Sequence, residues 1–288
     1  MSVLARFAAV PPPRWARPPS RMDGAAWLAA AVLGGLAAVA LLAPWIAPHD
    51  PNSVDLSAAY RGPSPTHLLG TDDSGRDLLS RLIVGSRTSL LGPLLVTVAA
   101  ATAGTAVAVG AAWAGGRLDS VVARALDVAL AFPALLLAIG AVVLFGTGFV
   151  APVAALAVAY VPYVARLVRG AAVRERRLAY IEATTTLGFS GFATCRRHLL
   201  PNVAALVLAQ ATICFGYSMV DLAAVNFLGL GLQPPDADWG VMVAAGQFSI
   251  LRGHPQQSLY AGLLILVTVA AFTILGDRLT AVDRSSAG

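Results

Sequence analysis

The sequence contains no lysine, so all 20 of its basic residues are arginine. The lysine with which a P-loop contacts the phosphates of ATP is therefore missing, and the chain is not itself a P-loop ATPase. Charged residues of all kinds make up only 12% of the chain, about half the share found in ordinary soluble domains. Such a low charge content favours a membrane protein.

Cysteine is also scarce, with Cys195 in a polar stretch and Cys214 in an apolar run. Neither belongs to a CxxC or Cys/His pattern, so we predict no disulfide and no metal site. The four histidines lie outside the apolar runs, at His49, His67, His198 and His254. An intramembrane protease would need Ser/His, paired Asp or metal ligands within the spans, so this class is disfavoured and we predict no catalytic residues.

Hydrophobic residues, in contrast, make up 57% of the chain and form several long runs. Each run can cross a hydrocarbon core of about 30 Å as an α-helix that rises about 1.5 Å per residue. We therefore predict an all-α polytopic membrane protein with six transmembrane helices. They lie at approximately residues 26–47, 90–113, 126–145, 149–168, 203–225 and 259–275.

These spans divide the chain into four predicted parts. They are an N-terminal cytoplasmic tail (1–25), a first helix with an extracytoplasmic segment (26–89), a core (90–280) with a cytoplasmic loop (170–202), and a C-terminal tail (281–288). Within the outer segments we expect a short amphipathic helix at residues 72–90 and a structured, partly re-entrant turn within 226–258.

The arginines predict the orientation of the spans. The net charge of +5 could suggest nucleic acid in a soluble protein, but here the arginines lie between apolar runs. This position favours a role in orienting the chain in a bilayer, so membrane lipid and not nucleic acid is the expected partner. Cytoplasmic loops are enriched in arginine. An orientation with both termini in the cytoplasm places most of the arginines in cytoplasmic segments, so we predict this orientation. The largest group is Arg166, Arg169, Arg174, Arg176, Arg177, Arg196 and Arg197.

This large cytoplasmic loop contains YIEATTTLGFSGFATCRRHLLPN. Residues 179–187 favour a helix, Gly188 is expected to bend or end it, and Pro201 to stop a second helical piece before the fifth span. Two short helices with a glycine elbow suit a partner's groove; the alternative is a solvated connector with snorkelling arginines. An apolar face is expected from Phe189, Phe192 and Leu199.

The loop resembles the EAA loop of ABC importer permeases. In that family the loop contains the sequence Glu-Ala-Ala, followed at fixed spacing by a Gly and then by Leu-Pro. Here the spacing holds to within a residue, and Thr replaces the second Ala. The resemblance implies that the loop is a coupling helix seated in a cleft of a cytoplasmic ATPase. The implied coupling residues are Glu182, Ala183, Thr184, Gly188, Leu200 and Pro201, with flanking charge from Arg174, Arg176 and Arg177.

Two further segments, HLLGTDDSGRDLLSRLIVGSRTSL and FLGLGLQPPDADWG, are similar to signatures of permeases of the DppC/OppC type. So is APWIAPHDP after the first span, and the resemblance covers residues 26–284. It implies the type I ABC importer permease fold and half of a pore for di- or oligopeptides. Nickel permeases share these signatures, so import of nickel or another small solute remains an alternative.

The resemblance also implies the partners of the chain. They are a second, DppB/OppB-like permease, two P-loop ATPases, an extracytoplasmic substrate-binding protein and the peptide substrate. ATP and Mg²⁺ would be bound by the ATPases, so no cofactor and no catalysis are expected on this chain. The implied location is the cytoplasmic (inner) membrane of a bacterium, with both termini in the cytoplasm.

The substrate path is predicted from polar residues in the fifth span, namely Gln210, Tyr217, Asp221 and Asn226. An ionisable group within a membrane is by default a functional candidate, although Asp221 could equally lie among the headgroups, paired or solvated. Arg124 and Asp127 are expected to pair. An ion-coupled secondary transporter is the alternative of another class, but we find one candidate acid and no clear internal repeat.

Overall fold

The structure, a computed structural model, describes residues 24–285, except the side chains of 185 and 279–285. Residues 1–23 of the predicted N-terminal tail and residues 286–288 of the predicted C-terminal tail lie outside this range. The described helices are α1 (Gly24–Ile46), α2 (Leu78–Ala114), α3 (Gly116–Ala129), α4 (Ala134–Phe145), α5 (Val150–Arg176), α6 (Ala179–Thr186), α7 (Gly191–Thr194), α8 (Leu200–Phe227), α9 (Trp239–Ala245), α10 (Gln247–Leu251) and α11 (Gln256–Ser285). No strand is found among residues 24–285.

The described helices allow up to six membrane spans, which is the predicted number. Five single helices are long and apolar enough, and α3 with α4, a pair bent by 76°, gives the sixth when the pair is counted as one span. The bend lies at Pro133, the N-cap of α4. Proline has no N–H to donate to the preceding turn, so the helix ends and restarts here.

Two predicted boundaries are wrong. The helix expected from residue 90 begins at Leu78, so the outer amphipathic helix is the first part of α2. Asp77 caps it, with Oδ2 accepting from the Ser80 N–H at 2.8 Å. Burial alone would raise the pKa of Asp77, but hydrogen bonds from Ser80 and His67 outweigh it and lower the pKa, so the carboxylate stays charged at the helix N-terminus.

Pro201 does not stop the second cytoplasmic piece, which is the other wrong boundary. Residues Gly191–Phe227 form one continuous helical unit because a π turn, Cys195–Leu199, precedes α8. In this turn the Leu200 N–H bonds to the carbonyl oxygen of Cys195. The wider turn accommodates the following proline, which has no N–H for a regular helical bond.

The core of the bundle lies where α2 packs along α5 and α8, with α11 against the other side of α8. Small residues bring α2 and α5 close together. A Cβ added to Gly104 would lie 2.9 Å from the Val161 carbonyl oxygen, so only glycine fits there. Close approach through small residues is how helices associate in lipid, where burial of apolar surface gives little driving force.

The bundle has two ends. At one, called here the α6–α7 end, the C-terminus of α2 meets α7, since Trp113 contacts Gly191. At the other, the α9–α10 end, the segment after α1 meets the start of α2, where the His49 N–H donates to Ser80 Oγ at 3.0 Å. The candidate coupling residues and the outer loops therefore lie at opposite ends.

Candidate functional site

The predicted pair of helices with a glycine elbow is present at the α6–α7 end. Gly188 has a φ of +82°, a conformation that favours glycine. The bend is closed by the Phe189 N–H, which donates to the Thr184 carbonyl oxygen at 3.1 Å. Ser190 then caps α7, its Oγ accepting from the Ala193 N–H at 3.3 Å. These local bonds define the angle between α6 and α7.

One side of α6 is buried against the rest of the chain. Ile181 and Thr184 are 3% and 8% exposed. Thr184 Oγ1 donates to the Ile181 carbonyl oxygen at 2.7 Å and lies 3.4 Å from the hydroxyl of Thr194 in α7. The threonine that departs from the Glu-Ala-Ala pattern therefore packs between the two short helices with its hydroxyl satisfied.

The opposite side of the elbow is apolar and exposed. Leu187 and Phe192 are 75% and 77% exposed, and Phe189 is 39% exposed. The predicted apolar face is wrong in one member, because Leu199 is buried in the bundle core. The exposed apolar surface of the elbow consists of Leu187, Phe189 and Phe192, with Glu182 exposed on the neighbouring turn.

The three flanking arginines have different environments. Arg176 Nη1 donates to the Ala112 carbonyl oxygen at 2.6 Å, and its guanidinium lies 5.4 Å from the centre of the Trp113 ring. A cation at this position satisfies and stabilises the C-terminus of α2. Arg174 and Arg177 are exposed. Of the three, Arg176 thus fixes the loop to α2.

The base of the loop is held by three residues that the sequence analysis missed, here called the loop-base triad. Glu175 Oε1 accepts from the Tyr180 hydroxyl at 2.5 Å and from Asn202 Nδ2 at 2.9 Å. Asn202 Nδ2 also lies 2.5 Å from the Tyr180 hydroxyl oxygen. Glu175 is buried, although its position within Arg-Glu-Arg-Arg is typical of a solvated residue.

A hollow of about 420 Å³, lined by both apolar and charged side chains, opens beside the loop. It lies between the end of α2, the start of α3, the end of α5 and α6. Its lining includes Trp113, Asp119, Arg176, Arg177 and Glu182. Glu182 therefore lies at the rim of a hollow that contains both acidic and basic side chains.

The candidate substrate-path residues do not form one cluster. Asp221 is half-buried, and its Oδ2 accepts from the Tyr160 hydroxyl of α5 at 2.8 Å. Tyr217 is 54% exposed and meets Tyr163 edge to face at 6.3 Å. Gln210 is buried, with no partner for its Oε1 among the described residues. Of these, Asp221 and Tyr217 lie where α8 faces tyrosines of α5.

Asn226 lies instead in the structured turn of the α9–α10 end. Its Nδ2 donates to Asp238 Oδ1 at 2.8 Å, and its Oδ1 accepts from the Leu232 N–H at 3.0 Å. Asp238 is buried and also accepts from Ser89 Oγ at 2.6 Å. The predicted structured turn is thus confirmed, and it joins α8 to α2.

The predicted pairing of Arg124 with Asp127 is wrong. Asp127 pairs with Arg166 of α5, whose Nη1 lies 3.1 Å from Oδ1. Nearby, Arg169 donates to both carboxylate oxygens of Asp119, at 2.6 and 2.7 Å. Both ion pairs join α3 to α5, because these helices pack side by side and offer partners on a neighbouring helix.

Three curated relatives span most of the chain. DdpC, a probable D,D-dipeptide transport system permease protein of Escherichia coli (strain K12), is 35% identical over 86% of this chain and 83% of its own. DppC, a di/tripeptide transport system permease protein of Pseudomonas aeruginosa (strain UCBPP-PA14), is 39% identical over 83% and 81%. GsiD, a glutathione transport system permease protein of Escherichia coli O6:K15:H31 (strain 536 / UPEC), is 36% identical over 85% and 80%.

Two family models also match. Residues 21–63 match the N-terminal TM domain of oligopeptide transport permease C. Residues 100–282, which include every candidate coupling and substrate-path residue, match the model of binding-protein-dependent transport system inner membrane components. Because this second match covers more than half of a chain with several apolar membrane helices, the protein is a multi-pass membrane protein that belongs to the family of binding-protein-dependent transport system inner membrane components.

Proposed function

We propose that the chain is the permease subunit of an ATP-driven ABC importer for di- or oligopeptides and forms half of the translocation pore. Family membership and the names of the three relatives support this function. Nickel, the alternative solute, gains no support because those relatives are named for peptides or glutathione. A secondary transporter is disfavoured because the family depends on a binding protein.

The observation that carries the proposal is the two-sided character of the α6–α7 elbow. Leu187 and Phe192 are exposed on one side, whereas Thr184, Arg176 and the loop-base triad anchor the other. An exposed apolar surface on a firmly anchored short helix suits docking into a groove on another protein. We assign that groove to a P-loop ATPase, with Glu182, Ala183 and Gly188 at the contact.

Movement of the elbow would reach the whole bundle. The triad joins α6 to α5 and α8, and Arg176 joins the loop to α2. Closure of the ATPases on ATP would therefore shift three core helices together and alternate the access of the pore. Arg174 and Arg177 supply flanking charge, and Leu200 and Pro201 connect the loop to α8. Asp221, Tyr217 and Gln210 are the proposed path residues.

The proposed assembly contains a second, DppB/OppB-like permease, two ATPases that bind ATP and Mg²⁺, and an extracytoplasmic binding protein. The chain itself performs no catalysis, which is supported by its lack of a P-loop lysine. The arginines at the α6–α7 end support a cytoplasmic position for that end and for both tails (1–25 and 281–288). The proposed location is a bacterial inner membrane. There the first helix and its extracytoplasmic segment (26–89) would lie beside the core (90–280).

The test is uptake by the reconstituted complex. The chain would be co-expressed with the second permease and both ATPases and placed in proteoliposomes with ATP inside and the binding protein outside. We expect ATP-dependent accumulation of labelled di- or oligopeptides, with no accumulation of Ni²⁺. Peptide uptake that is independent of ATP and driven by an ion gradient would overturn the proposal. Uptake of Ni²⁺ without uptake of peptide would overturn it as well.

A further inference from the structure

Two histidines and an aspartate converge at the α9–α10 end, far from the α6–α7 elbow. His49 follows α1, His67 lies in the loop before α2, and Asp77 is the N-cap of α2. One possible ligand atom from each lies within 4.8 Å of the others. The sequence analysis found no metal site because these residues come from separate segments and show no short ligand spacing.

The distances suit a tetrahedral metal site. His67 Nδ1 lies 3.0 Å from Asp77 Oδ1, and His49 Nδ1 lies 3.8 Å from Asp77 Oδ2. Zinc bonds of about 2.0–2.1 Å in tetrahedral geometry place neighbouring ligand atoms about 3.3 Å apart. The two separations lie on either side of this value, so small rotations of the side chains would bring three ligands around one ion.

A second layer of hydrogen bonds holds two of the ligands. Ser80 Oγ donates to Asp77 Oδ2 at 2.7 Å and accepts from the His49 backbone N–H at 3.0 Å. One serine therefore positions both the carboxylate and the backbone of a histidine. Such outer hydrogen bonds are what orient the ligands of metal sites. The side chain of His49 is 43% exposed, which gives an ion access from solvent.

We propose that His49, His67 and Asp77 bind one divalent transition-metal ion of the Zn²⁺ class. Two imidazoles and a carboxylate are ligands that suit Zn²⁺, whereas Mg²⁺ and Ca²⁺ prefer oxygen ligands alone. An ion bound at His67 Nδ1 takes the place of the hydrogen bond between Nδ1 and Asp77, and the neutral imidazole then carries its single proton on Nε2. The ion ties the segment after α1 to the start of α2, independently of the transport proposal.

The test is direct titration of the full chain in detergent, purified through a tag without histidine and stripped with EDTA. Zn²⁺ would be added at pH 7.5 in competition with a chromophoric chelator, and thermal unfolding would be followed with and without metal. We expect one Zn²⁺ per chain and a higher Tm with Zn²⁺, but no rise with Mg²⁺ or Ca²⁺. Absence of a saturable Zn²⁺ site would overturn the proposal and leave a simple His67–Asp77 hydrogen bond.

Three variants and one control assign the site. His49→Ala, His67→Gln and Asp77→Asn are each expected to weaken Zn²⁺ binding at least about tenfold. Asn is also a strong N-cap, so Asp77→Asn keeps α2 capped while it removes the anionic ligand. His198→Ala, at the α6–α7 end, is the matched control and should bind as the parent does. Unchanged affinity in the three ligand variants would overturn the assignment.

Discussion

Glu175 accepts a hydrogen bond from Asn202 at 2.9 Å, and this contact joins the end of α5 to the first turn of α8. Tyr180, at the start of α6, completes the triad. The two long helices that flank the elbow are therefore fixed to each other at its base. A force applied to α6–α7 would act on α5 and α8 as one unit.

Removal of the Tyr180 hydroxyl tests this connection. Tyr180→Phe deletes two contacts of the triad but keeps the ring beside His198. We expect a loss of about 1 kcal/mol in the free energy of unfolding and fewer peptides transported per ATP hydrolysed. Uptake and hydrolysis would be measured in the same proteoliposomes. Tyr260→Phe, on α11 at the opposite end, is the control, and equal transport ratios in the two variants would contradict the role of the triad.

The elbow itself is tested by its glycine. No atom lies within 4 Å of a Cβ added at Gly188, so Gly188→Ala introduces only backbone strain at its φ of +82°, which costs about 1–2 kcal/mol. Gly170→Ala is the control: in α5 the added Cβ meets Arg174 at an ordinary 3.9 Å, and stability should be equal or up to about 1 kcal/mol higher.

The functional consequence should appear as uncoupling. Gly188→Pro, which cannot adopt a positive φ, and Glu182→Arg, which reverses the charge at the rim of the hollow, are expected to separate ATP hydrolysis from transport while leaving membrane insertion intact. Coupled uptake at the parental rate by both variants would refute a coupling role for the elbow.

The exposed apolar surface of the elbow predicts where the ATPase is bound. Leu187→Ser and Phe192→Ser should change the free energy of unfolding by no more than about 0.5 kcal/mol, because both side chains are already exposed. Each should nevertheless reduce co-purification of the ATPase subunits. Phe248→Ser, 71% exposed at the α9–α10 end, is matched in chemistry and should retain the ATPases. Full retention by the two elbow variants would locate the ATPase contact elsewhere.

The charge of Asp221 provides a test of the substrate path. Asp221→Asn keeps an oxygen that can accept from Tyr160 but removes the negative charge. If Asp221 meets the ammonium group of a peptide, we expect a higher KM for peptides with a free amino terminus and no change for N-acetylated peptides. Asp236→Asn, in an exposed part of the outer loop, is the control. A change of equal size for both kinds of peptide would argue for a structural role.

Local features explain how much of the site could be predicted. The Gly188 elbow followed from the residue itself, since few others adopt its backbone conformation. The start of α2 was missed because the polar residues before Leu90 are typical of an outer segment, whereas Asp77 caps a helix that already begins there. Pro201 was misjudged because a π turn, which no residue pattern indicated, precedes it.

By itself, the sequence determined the apolar runs, the bent cytoplasmic loop and the resemblance to a permease family. These features depend on residues that are neighbours along the chain. Only the tertiary structure decided that Glu175 meets Asn202, that Asp127 pairs with Arg166 rather than Arg124, and that His49 and His67 converge on Asp77. Apart from the rejected Arg124–Asp127 pair, these contacts join separate segments, and their meeting depends on how the helices and outer loops pack.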